Sequence, residues 1–168
     1  MKQGEHIILI GMPTSGKSTA GVILAKILGK DFIDTDLLIQ AQCKKTLSEI
    51  LSQDGLAAFL AAEEAACLSV HPSGRGLVIA TGGSVVYSER AMQYLGSLGT
   101  IIYLQIDEQT LQKRLHNAKQ RGVVLKDGQT ITDLYLERIP LYERYADLTV
   151  AETGLDMEET VQQILAII

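Results

Sequence analysis

The chain has 168 residues, 46% hydrophobic and 21% charged, which is the make-up of one globular domain with a sizeable core. A formal net charge of −5 predicts no general nucleic-acid or membrane-surface partner. The most apolar helical stretch, Leu56 to Val70, carries Glu63 and Glu64 and so spans no bilayer; with no signal-like leader, the chain is expected in the cytoplasm.

Taken in order, short apolar runs alternate with longer helical patterns, the signature of a parallel α/β sheet. The expected strands are Ile7–Ile10, Phe32–Ile33, Leu77–Ala80, Ile101–Leu104 and Leu148–Val150. Helices are expected near 17–28, 35–43, 46–70, 88–97, 108–116, 130–145 and 156–167. No repeat or linker divides the chain, so residues 1–168 read as a single doubly wound domain.

Between the first strand and the first helix lies Gly11-Met12-Pro13-Thr14-Ser15-Gly16-Lys17-Ser18-Thr19. This is G-x-x-x-x-G-K-[ST] in the strand–loop–helix context the motif requires. Glycines let the backbone turn its amides inward at a helix N-terminus, which makes an anion nest. Pro13, Thr14, Ser15, Gly16, Lys17, Ser18 and Thr19 are therefore expected to cradle a nucleoside triphosphate. Lys17 would reach the β- and γ-phosphates, and the Ser18 hydroxyl would hold Mg²⁺.

The second strand ends in Asp34-Thr35-Asp36. Residues two apart on a strand point the same way, so both acids would face the phosphate loop. Two carboxylates beside a triphosphate need a cation between them. Asp34 would then hold Mg²⁺ and Asp36 would orient an acceptor hydroxyl. The alternative is that Asp36 caps the helix from Leu37 onward and Asp34 is solvated.

The third strand ends without the acid of a hydrolytic switch or motor ATPase. It runs instead into Thr81-Gly82-Gly83-Ser84, which either admits a ligand close to the backbone or is a plain turn. Asp107 is a plausible cap for the following helix, which leads through Lys113-Arg114 to His116–Gly122. That basic, aperiodic stretch is either a lid closing Arg121 over the transferring phosphoryl group or a solvated loop. Arg138 either grips a substrate anion or makes a surface ion pair, and Pro140 should kink or interrupt its helix. Cys67 reads as a small core residue, Cys43 shares no metal-ligand spacing with it, and His6, His71 and His116 form no pattern.

With these residues assembled, the chain resembles the shikimate kinases of the nucleoside-monophosphate-kinase-like P-loop group. The likeness rests on the phosphate loop, Phe32-Ile33-Asp34-Thr35-Asp36, Ala80-Thr81-Gly82-Gly83, and Arg138 with Pro140-Leu141-Tyr142. It implies a three-layer P-loop kinase fold with a five-stranded parallel sheet in the order 2-3-1-4-5. It also implies an acceptor region over about 35–70, a lid over about 117–130, and a monomer. The activity implied is transfer of the γ-phosphoryl group of ATP, with Mg²⁺, to a hydroxyl of shikimate. Lys17, Asp36 and Arg121 would be catalytic, with Asp34 and Ser18 on the metal. Arg114 would pack against adenine, Gly82 and Gly83 would touch the acceptor, and Arg138 would hold its carboxylate.

The chain departs from that pattern mainly on the acceptor side. An arginine usually follows the phenylalanine at 59; here it is Leu60, which would put an apolar surface where a carboxylate should sit. Gly122-Val123 replaces the usual Pro-Leu after the lid arginine, Ser84 replaces a third glycine, and Thr14 stands where glycine is common. Kinase chemistry survives these changes, because its charged parts are present. A different small hydroxylated acceptor, or a nucleotide-binding module without catalysis, are the competing readings.

Overall fold

The computed structural model describes residues 6–71, 74–117 and 123–168. Five parallel strands form one sheet: β1 His6–Ile10, β2 Asp31–Asp34, β3 Leu77–Ala80, β4 Gly99–Gln105 and β5 Leu148–Ala151. Their order is β2-β3-β1-β4-β5, as the resemblance implied. β1 lies in the middle, Ile8 pairing with Ile79 on one side and with Ile101 on the other.

The helices are α1 Lys17–Leu28, α2 Thr35–Cys43, α3 Leu47–Glu49, α4 Leu56–Leu68, α5 Glu89–Leu98, α6 Glu108–Asn117, α7 Ile131–Tyr145 and α8 Met157–Ile167. Both sheet faces are covered, so the central strands are apolar on both sides. Period-two alternation sorts them. Ile8, Ile10, Ile79, Ile101 and Tyr103 pack with Met92 and Leu95 of α5 and Tyr142 of α7. Ile7, Leu9, Val78, Ile102 and Leu104 pack with Leu24 of α1 and Ile164 of α8. A third, smaller cluster away from the sheet joins Ile39, Ile50, Phe59, Ala66 and Val124.

Two expectations fail. The helix expected over 46–70 is split into α3, a π-type turn at Ile50–Asp54, and α4. A Thr46–Glu49 capping box starts α3, and Gly55 at φ +88° breaks the run in a conformation side chains resist. Conversely, α7 runs through Pro140 without interruption. Pro140 and Leu136 are both exposed, so the Leu136 carbonyl that loses its helical donor can take a hydrogen bond from water. No helix of the described residues is long and apolar enough to cross a membrane.

Candidate active site

The carboxyl ends of β1, β2 and β3 open on one cleft of about 1340 Å³. That exceeds the roughly 300–1,000 Å³ typical of a site for one drug-sized ligand and suits two molecules side by side. Its walls bring together Pro13, Thr14, Gly16, Lys17, Ser18 and Thr19 with Asp34 and Asp36. Gly82, Gly83, Arg114 and Arg138 line it too. Of the expected site residues, Ser15 is fully buried beneath the loop, and Arg121 lies outside the described residues.

The phosphate loop closes on itself through Lys17. Its Nζ donates to the carbonyls of Gly11 (2.9 Å) and Met12 (2.7 Å) and to Ser15 Oγ (3.3 Å). Burial lowers its pKa to about 8, opposed by the negative charges of Asp36, Glu152 and Asp34. Gly16 caps α1 at φ +82°. Thr14 takes φ +66°, where the family resemblance led one to expect glycine. For an L residue that backbone is strained by about 1–2 kcal/mol. Arg114 Nη1 bonds the Thr14 carbonyl at 2.9 Å and so helps hold the strained peptide.

Asp34 and Asp36 both line the cleft, but for a reason other than strand alternation. β2 stops at Asp34, and Asp36 already belongs to the first turn of α2. The cap is Asp34, not Asp36: Asp34 Oδ1 accepts from the Asp36 amide at 2.9 Å. Asp36 is thereby turned toward Gly82, where an added Cβ would stand 2.9 Å from its Oδ1. The same Cβ would collide with Glu63, so the close packing of two acids over this backbone requires glycine. Thr35, buried between the acids, accepts from the Gly82 amide at 3.1 Å and ties the end of β2 to the turn after β3.

Arg138 is not a surface residue. It is 1% exposed, and its bonds go to neutral oxygens: Nε to Tyr87 Oη (3.2 Å) and Nη2 to the Val124 carbonyl (3.0 Å). Its guanidinium also lies over the Tyr87 ring at 5.2 Å. Among the described residues it pairs with no acid. Nη1 points at Gly83, whose carbonyl accepts from Tyr142 Oη at 2.5 Å. Leu60 does not put an apolar surface in the cleft; it packs into the third cluster with Phe59.

Two further acids escaped the sequence reading. Glu63 is 2% exposed on α4, and Ser84 Oγ donates to its Oε2 at 2.6 Å. Glu152, just past β5, is buried 3.7 Å from Arg114 Nη1. Burial lifts each to about 7. Their only sequence signal was an acid inside an apolar helix and another following a strand.

Can the cleft hold Mg²⁺? The ion favours hard oxygens and usually takes one or two carboxylates while keeping waters and phosphate oxygens. Asp34 and Ser18 supply that minimal donor set, and both line the cleft. No group of three or more His, Cys, Asp or Glu among the described residues stands ready to hold a metal unaided. The residues fit a cation shared with a phosphate chain.

The family model for shikimate kinase matches residues 13–168. The chain belongs to the shikimate kinase family. Among curated relatives of this family member, a shikimate kinase of Chlorobium chlorochromatii (strain CaD3) is 34% identical over 173 residues, covering 97% of this chain and 90% of its own. Another, from Thermodesulfovibrio yellowstonii (strain ATCC 51303 / DSM 11347 / YP87), is 35% identical, with coverages of 96% and 93%. The structure of a shikimate kinase from Acinetobacter baumannii in complex with shikimate matches with a TM-score of 0.88 at 27% identity. That match covers 99% of this shikimate-kinase-family chain and 93% of the other.

Proposed function

We propose that this protein is a kinase that moves the γ-phosphoryl group of ATP to a hydroxyl of shikimate, giving shikimate 3-phosphate. The observation that carries the reading is Arg138: a buried guanidinium with no acidic partner among the described residues, in the same cleft as a phosphate loop and Asp36. A buried charge without a counterion is strongly unfavourable, so this one implies an anionic ligand. A carboxylate acceptor supplies it.

The roles follow from position. Pro13 to Thr19 offer the nest for the phosphates, and Lys17 leaves its carbonyl partners to meet their charge. Arg114 packs against adenine. Asp34 and Ser18 would hold Mg²⁺, which neutralises phosphate charge when bound. Asp36 accepts from the attacking hydroxyl and aims it; an ordinary carboxylate is a weak base, so positioning outweighs early proton removal. Gly82 and Gly83 let the acceptor lie against the backbone, and Arg138 fixes its carboxylate. Arg121, on a lid over about 117–130, completes charge neutralisation, and the acceptor region spans about 35–70. The working unit is one cytoplasmic chain, with neither nucleic acid nor membrane as partner.

Release of ADP with shikimate as acceptor, and mass-spectrometric identification of the phosphorylated product, tests the reading. Phosphorylation of other hydroxy acids but not shikimate would overturn it. That outcome is the second reading, and the lack of a cation at Leu60 is what favours it.

A further inference from the structure

Glu152 is not among the residues that meet the phosphates or the acceptor, yet it is buried beside the nucleotide half of the cleft. It directly follows β5 and is 3% exposed. A methyl on Gly16, at the bend of the phosphate loop, would stand 3.8 Å from its Oε1. Both of its carboxylate oxygens are buried without a hydrogen bond among the described residues. Buried polar atoms are almost always partnered, so the needs of the fold alone do not account for this acid.

Its place is fixed by its neighbours. The Glu152 amide donates to the Gln105 carbonyl at 2.8 Å, at the end of β4, and the Glu152 carbonyl accepts from the Leu155 amide at 2.9 Å. Thr153 Oγ1 donates to Asp107 Oδ2 at 3.0 Å, and Asp107 Oδ1 accepts from the Thr110 amide at 2.7 Å, at the start of α6. The turn that carries Glu152 is thus tied to the helix that carries Arg114. Arg114 Nη1 lies 3.7 Å from Glu152 Oε2 while it donates to the Thr14 carbonyl at 2.9 Å. The longer separation is an ion pair and not a hydrogen bond, so the acid steers the guanidinium by charge.

A negative charge beneath a phosphate nest repels what the nest binds. Glu152 is therefore misplaced as a direct contact to a nucleotide and well placed as the counter-charge of Arg114. The Arg114 side chain is 38% exposed and lines the cleft. An arginine left to itself spreads over many rotamers, and holding one edge of its fork leaves the flat face in one orientation. We propose that Glu152 is a positioning residue for the nucleotide, holding the inner edge of the Arg114 guanidinium so that its outer face is set for the base. This rests on the reading that Arg114 packs against adenine, and deepens it.

The test is calorimetric binding of ADP and of tripolyphosphate, a phosphate chain with no base, each with Mg²⁺ at pH 7.5. The proteins are wild type, Glu152→Gln, Arg114→Ala and the double variant. Burial raises Glu152 to about 7, so at that pH most wild-type molecules carry its charge. Glutamine keeps the shape and removes the charge. Glu152→Gln should raise the Kd for ADP about three- to tenfold, while that for tripolyphosphate stays within about twofold or falls. Arg114→Ala should also weaken ADP selectively, and adding Glu152→Gln to it should change nothing further. In turnover the KM for ATP should rise while kcat and the KM for shikimate stay within about twofold, a split that general loosening of the fold does not give. An ADP affinity that Glu152→Gln leaves unchanged, an equal change with both ligands, or additive effects in the double variant overturns the proposal. If Arg114→Ala weakens both ligands alike, Arg114 does not meet the base, and it is the underlying nucleotide reading that fails.

Discussion

Arg114 stands between the phosphate loop and a buried acid: its Nη1 donates to the Thr14 carbonyl at 2.9 Å and lies 3.7 Å from Glu152 Oε2. Both Glu152 carboxylate oxygens lack hydrogen bonds among the described residues, and burial raises the group from an ordinary 4.5 to about 7 despite Arg114 and Lys17. An acid whose folded pKa is raised binds a proton more tightly in the native state than in the unfolded chain. Stability must therefore fall as pH climbs from about 4.5 to about 7, and level off above. Glu63 adds in the same sense. Glu152→Gln should raise the melting midpoint at pH 8 by about 2–4 °C, the shift expected for ~1 kcal/mol in a chain of this size. Thermal denaturation across pH checks it; a midpoint that climbs from pH 5 to pH 7 contradicts the account.

Lys17 sets a second pH dependence with the opposite partner. Desolvation by burial lowers its pKa to about 8, and a phosphate chain would hold the ammonium proton in place. Affinity for ADP should decline above pH 8, by up to about tenfold per pH unit. Calorimetric titrations from pH 7 to pH 9.5 measure it. In Lys17→Met the affinity should be weak at pH 7 already and the decline should vanish; an equally steep decline in that variant would assign it elsewhere.

Asp36 contributes only its backbone amide to the α2 cap, whose side-chain acceptor is Asp34. Asp36→Asn leaves that amide and the Asp34 cap in place. Its effect belongs to turnover, where kcat should fall by roughly 10²–10⁴ with a smaller change in the acceptor KM. Steady-state kinetics separates the two; unchanged kcat removes Asp36 from the mechanism.

On the acceptor side, Arg138→Met should raise the KM for shikimate about ten- to a hundredfold, the worth of one charge-assisted hydrogen bond of roughly 1.5–3 kcal/mol. Leu60→Arg should lower it by a comparable factor, since it brings a second cation within one turn of Glu63. If Leu60→Arg leaves the KM unchanged, the missing arginine is not what limits acceptor binding.

The chemistry of the nucleotide half was written in nine consecutive residues, Gly11 to Thr19, because a phosphate nest is built from local backbone geometry. Strand alternation correctly placed Asp34 and Asp36 in the cleft, though for the wrong reason: β2 ends two residues earlier than that argument needed, and a cap turns the second acid inward. Pro140 and the 46–70 stretch were misread because a proline's effect depends on whether water can reach the freed carbonyl. The helix break hinges on one glycine's backbone angle.

By itself, then, the sequence determined a parallel α/β architecture around a phosphate loop and an acid pair, since these follow from periodicity and short-range spacing. Only the tertiary structure decided that Arg138 is buried without an acid, and that Glu63 and Glu152 are acids held near neutrality. Desolvation is the reason. A charge's pKa and partners depend on which distant segments cover it, and no local pattern in α4, α7 or the end of β5 records that.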